Sequence, residues 1–114
     1  MKDLAENLKL ISDPNRLQIL QALAAGPRCV SSLAQRVNSS QSAVSQQLRV
    51  LREAGLVLAD KRGNWVHYRV NRERLRALSA SFEQWCSRIL KQSAARGGDT
   101  CHHKAAPKLR RKKE

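Results

Sequence analysis

The chain has 114 residues, with 22 Lys and Arg against 9 Asp and Glu, for a formal net charge of +13. That length bounds one domain with a modest core, and no apolar run approaches the ~20 residues of a membrane-spanning helix. From Arg96 onward lie seven of the cations (Arg96, Lys104, Lys108, Arg110, Arg111, Lys112, Lys113) and two acids, Asp99 and Glu114, which leaves +8 on residues 1–95; a polyanionic partner is expected even without that segment.

Leu4, Leu8 and Ile11 recur at i, i+4 and i+7 and predict a first helix. Asp13-Pro14 is the cap and first-turn proline of a second, with Leu17, Leu20, Leu23 and Ala24 as its buried face and Gly26-Pro27 as its end. A short third helix presents Leu33, Ala34 and Val37, capped by Ser31 or Ser32. After a brief turn at Asn38, Val44, Leu48 and Leu51 form the stripe of a fourth helix, which Ser39 or Ser40 caps and Gly55 stops.

The opposite face of this fourth helix carries Ser42, Ser45, Gln46 and Arg49, also at i, i+3, i+4 and i+7. These side chains suit base edges, Gln for adenine and Arg for guanine; the alternative is an ordinary solvated face. Two helices joined by about four residues, the second polar on its outer side, make a helix-turn-helix signature. The pattern then changes to period 2. Val57 to Arg62 and Trp65 to Val70 flank Gly63-Asn64, a two-residue hairpin signal, with Lys61 and Arg62 at the tip. Such a tip suits phosphate or minor-groove contact. The expected DNA-binding set is therefore Ser40, Gln41, Ser42, Ser45, Gln46 and Arg49 on the helix and Lys61, Arg62 and Asn64 on the hairpin. A long last helix begins at a capping Asn71, carries Leu75, Leu78, Phe82, Trp85 or Cys86, and Ile89, and frays near residues 94–96.

The expected fold is mainly α with a small β-hairpin, a winged helix-turn-helix of four helices, two strands and a final helix. Residues 1–95 are expected to form the DNA-binding and dimerisation domain, and 96–114 a basic flexible tail. The N-terminal MKDLAENLKL lacks the apolar core of a signal peptide. A cytoplasmic protein whose three cysteines are thiols is expected. There is no Gly-rich phosphate loop, carboxylate pair in a credible pocket, or Ser/His/Asp arrangement, so an enzyme is not expected.

Three segments resemble the ArsR/SmtB family of bacterial metal- and metalloid-responsive repressors. SDPNRLQILQAL (Ser12 to Leu23) resembles its opening helix, SQSAVSQQLRVLREAGLV (Ser40 to Val57) its recognition helix, and RGNWVHYRV (Arg62 to Val70) its wing, most closely in the arsenic-responsive branch. The resemblance covers roughly residues 4 to 92. It implies a homodimer through the first and last helices, and a two-fold dimer would bind a near-palindromic double-stranded operator.

In the arsenic-responsive branch a Cys-Val-Cys-Asp-Leu-Cys motif opens the third helix; here Cys29, Val30, Ser31, Ser32, Leu33 and Ala34 stand there, keeping only the first thiol. The family's other sensing location, on the last helix, uses Asp, His and Glu; residues 72–95 contain no His and no Asp. Arg28 and the following helix start both favour thiolate at Cys29. Cys101, with His102 and His103, could meet it from the same subunit or the other, and Cys86 could add a sulfur, although a Cys on an apolar helix face commonly acts as a small hydrophobe. Thiolates suit arsenite, and thiolate with imidazole suits zinc. His67 on the wing reads as a surface or packing residue. The expected function is an arsenite- or metal-responsive repressor. The alternatives are a thiol-based redox or persulfide sensor and a winged-helix module that docks a protein partner without a small-molecule signal.

Overall fold

The computed structural model describes residues 2–95, in the order α1 (Lys2–Ile11), α2 (Pro14–Ala22), a 3-10 turn (Leu23–Ala25), α3 (Val30–Arg36), α4 (Gln41–Glu53), β1 (Val57–Arg62), β2 (Trp65–Val70) and α5 (Arg72–Ala95). Residues up to Glu83 form one compact unit, and a second begins at Gln84 within α5. The expected basic tail, 96–114, lies outside the described residues.

Local chemistry sets most of these boundaries. The Asp13 side chain accepts a hydrogen bond from the Asn15 amide at 2.8 Å, and Pro14 opens α2, where its missing N–H costs nothing. Ser40 caps α4 by accepting from the Ala43 amide at 3.1 Å. Two helix ends close by the same device. After α4, Gly55 at φ 80 lets the Gly55 and Leu56 amides donate to the Arg52 and Leu51 carbonyls. After α3, Asn38 at φ 55 lets the Asn38 and Ser39 amides donate to Gln35 and Ala34. Both are Schellman closures, which need a left-handed residue. The Asn38 closure produces the tight turn that delivers the chain into α4.

The core lies where α2, α3, α4 and the start of the hairpin meet. Val44, Leu48 and Leu51 of α4 are at most 1% exposed and pack with Ile19, Leu23, Leu33, Ala34, Leu56 and Val57. Each of these Val, Leu and Ile side chains contributes roughly 1.5–3 kcal/mol of apolar burial. On α2 the buried face differs from the expected one. Ile19 and Leu23 point inward, whereas Leu17 is 49% exposed, Leu20 half-buried and Ala24 exposed. Apolar residues nearly encircle α2, so its contact with α3 and α4 chooses the face.

β1 and β2 pair antiparallel from Val57↔Val70 to Arg62↔Trp65, closing on a two-residue loop. Of the loop pair, Gly63 alone has positive φ, 64°, the pattern of a II′ turn. Arg28 adds a one-residue third strand: its amide donates to the Tyr68 carbonyl at 3.0 Å, and the Tyr68 amide donates back at 2.8 Å. Among the described residues no helix is long and apolar enough to cross a membrane.

Candidate nucleic-acid interface

With Val44, Leu48 and Leu51 buried, helical geometry turns Ser42, Ser45, Gln46 and Arg49 outward, and all four are exposed. Ser40 and Gln41, at the start of the same helix, are exposed as well, as are Lys61, Arg62 and Asn64 at the hairpin tip. Ser45, Arg49 and Arg52 also line a cleft of about 400 Å³ shared with Tyr68 of β2. Reading helix and wing therefore face a common space, and Arg52, absent from the expected set, adds a cation to it. Its signal in the sequence was its place one turn beyond Arg49.

Arg49 Nε lies 3.6 Å from Glu53 Oε2, four residues on, with both side chains more than 70% exposed. A pair this exposed is worth only a few tenths of a kcal/mol, so it leaves Arg49 open to exchange Glu53 for another acceptor. Gln47 has a different task. Its Oε1 accepts from Arg16 Nε at 2.8 Å, while Arg16 Nη1 donates to the Leu10 carbonyl at 2.8 Å. Arg74 brackets the other end of α4, donating to the Ala54 carbonyl at 3.3 Å and to Asn7 Oδ1 at 3.1 Å. Two arginines thus fix the reading helix to α1 and α5. Sequence patterns do not show these contacts, because the partners lie up to 67 residues apart.

On the outer face of the wing, Arg69 Nε donates to Asp60 Oδ2 at 2.7 Å. This hydrogen bond, against desolvation and with help from the positive charges of Arg69 and Arg62, holds the Asp60 carboxyl below its ordinary range. His67 is half-buried, with Nδ1 enclosed and without a hydrogen-bond partner, a packing position as expected.

Cys29, half-buried, is itself the N-cap of α3, ahead of the expected cap at Ser31 or Ser32. The pairing of Arg28 with Tyr68 holds the chain extended up to that point, so the helix begins directly after it. The Cys29 thiol is lowered from its ordinary value, chiefly by the Ser32 amide; desolvation opposes this, and the Ser31 hydroxyl, 4.0 Å from Sγ, assists. Arg28 is not among the causes, since its guanidinium donates instead to the Ala22 carbonyl and the Ser32 hydroxyl, each at 3.1 Å. Cys86 is half-buried on α5. Cys101 and His102 lie outside the described residues. Among the described residues no three His, Cys, Asp or Glu side chains gather as a metal site.

The model of the bacterial regulatory protein arsR family matches residues 13–58, from the cap of α2 to the start of the wing. The arsenical resistance operon repressor of Escherichia coli is 36% identical over 86 residues, covering 75% of this chain and 67% of that protein. The chain belongs to the arsR family. The HTH-type transcriptional regulator NmtR of Mycobacterium tuberculosis is 47% identical over 64 residues, 56% of this chain; that match spans only about half of NmtR (53%). Among solved structures, a homodimeric winged helix-turn-helix DNA-binding domain from Mycobacterium bovis superposes with a TM-score of 0.60 at 28% identity, covering 90% of this chain and 89% of that one. These arsR-family relatives are regulators rather than enzymes, and the winged helix-turn-helix expected from the sequence is the fold observed.

Proposed function

We propose that this arsR-family chain is a homodimeric transcriptional repressor that binds a near-palindromic operator through α4 and the wing and releases it when a thiophilic ligand engages Cys29. The observation that carries the DNA-binding half is the exposed row Ser42, Ser45, Gln46 and Arg49, turned outward by a buried stripe, with Ser45 and Arg49 lining a cleft shared with Tyr68 of the wing. The homodimer is supported by the assembly of the Mycobacterium bovis neighbour and by apolar side chains on α5 that remain uncovered, Leu75 at 38% and Ile89 at 46% exposure.

Arsenite is the first ligand to test, as the name of the Escherichia coli relative suggests, with zinc second. The described residues offer such a ligand one thiol of lowered pKa, Cys29. Cys101 and His102 are the further donors this reading calls on, and Cys86 a weaker one. Cys29 is well placed to act on DNA binding because the residue before it is hydrogen-bonded in both directions to Tyr68 of the wing. A ligand that displaces Cys29 therefore pulls on β2 directly. Coupling of ~1–3 kcal/mol, a 5- to 150-fold loss of operator affinity, is enough for a switch.

The test is release of the protein from its own upstream DNA. Arsenite is expected to release the wild type, while Cys29→Ser binds the operator normally and stays bound. Release of Cys29→Ser by arsenite would move the site elsewhere. Release by an oxidant or persulfide but not by arsenite would favour the redox reading, and indifference to all of them would favour a module with a protein partner.

A further inference from the structure

A pocket of about 580 Å³ opens where the end of α2, the base of the wing and the first turns of α5 meet. Its volume falls in the range of small-molecule sites, roughly 300–1,000 Å³. Leu20, Leu23, Val70 and Leu75 supply an apolar interior. Three cations, Arg69, Arg72 and Arg76, stand around it. Arg69 is occupied by Asp60. Arg72 and Arg76 have no carboxylate partner among the described residues. They are also one helical turn apart on the same face, where like charges repel, and near the positive end of the α5 dipole, which disfavours cations. Both penalties are relieved by an anion held between them, and an apolar interior beside the anion site asks for an apolar body.

We propose that this pocket binds a small amphipathic organic anion, with Arg72 and Arg76 holding its acid group and Leu20, Leu23, Val70 and Leu75 enclosing its apolar body. A carboxylate suits best, since each guanidinium offers it a two-pronged hydrogen bond. The site shares no residue with the reading face of α4 or with Cys29, so DNA reading and ligand release can fail while the site stands; it does share Leu75 with the α5 face proposed for the dimer, so a partner that covers Leu75 would close it. Its walls also join the base of the wing to α5, so an occupant bears on how the wing is held.

The test uses the full chain and 2-naphthoate as probe, followed by calorimetry and amide chemical shifts. The controls are 2-naphthamide, which keeps the ring without the charge, and acetate, which keeps the charge without the ring. Naphthoate is expected to bind saturably, one per chain, and to shift the Gly26, Val70, Leu75 and Ser79 amides. Both controls are expected to bind at least tenfold more weakly. Arg76→Gln, a change at an exposed helix position, is expected to keep the wild-type amide spectrum away from the pocket and to weaken naphthoate at least tenfold, and Arg36→Gln to leave it unchanged. Equal binding of the amide, unchanged binding by Arg76→Gln, shifts confined to other surfaces, or no saturable binding because a second copy of the chain fills the pocket would each overturn the proposal.

Discussion

In the proposed function, base recognition turns on Arg49. It is exposed, paired only with Glu53 four residues on, and last in the outward row of α4 that begins at Ser42. Arg49→Ala is expected to cost ~1–3 kcal/mol on the cognate operator and to relax the preference at one base position. Competition binding against operators substituted base by base would show this; a uniform loss would assign Arg49 to phosphate instead. Cys29 makes a different prediction. Its thiol is lowered chiefly by the Ser32 amide, against desolvation and with help from the Ser31 hydroxyl, so its thiolate forms at lower pH than the ordinary value of the same cysteine in an unfolded peptide. Peptide-resolved alkylation across pH should place its midpoint below that value, and Ser31→Ala should move the midpoint up. A midpoint at or above the free value would remove Cys29 as a reactive thiol.

At the scale of elements, α4 and the hairpin were legible because their patterns admit one answer. Val44, Leu48 and Leu51 define one stripe, and a Gly-Asn pair between two β-prone runs defines one turn; the observed strands have the expected bounds, Val57–Arg62 and Trp65–Val70. α2 was legible as a helix but not in orientation, because Leu17, Ile19, Leu20 and Leu23 offer apolar groups on several sides. The start of α3 was misplaced because it is fixed by the Arg28–Tyr68 pairing, forty residues apart in sequence, which no local signal reports. The wing itself can be tested as an electrostatic element. Replacing Lys61 and Arg62 with Ala should weaken binding to all DNA sequences alike and reduce the salt slope by about one for each phosphate no longer neutralised. An unchanged slope would mean that the wing tip does not touch the backbone. Acid acts on the wing through Asp60. Its folded pKa is depressed, so the Asp60–Arg69 contribution is present above the ordinary carboxylate pKa and disappears as pH falls through the lowered value.

At the scale of the whole molecule, charge and topology serve one partner. A chain carrying +13 is drawn to any polyanion, and in the proposed function specificity comes from the few side chains that α4 presents. The buried stripe of α4 and the Arg16 and Arg74 brackets keep that presentation rigid. A dimer would double it, with two reading helices about one DNA turn, roughly 34 Å, apart. Competition at physiological ionic strength between the upstream near-palindrome and random duplexes of equal length tests this most directly. A preference of at least ~10³-fold, with protection of two half-sites one turn apart, is expected; equal binding to both duplexes would rule out base reading by α4.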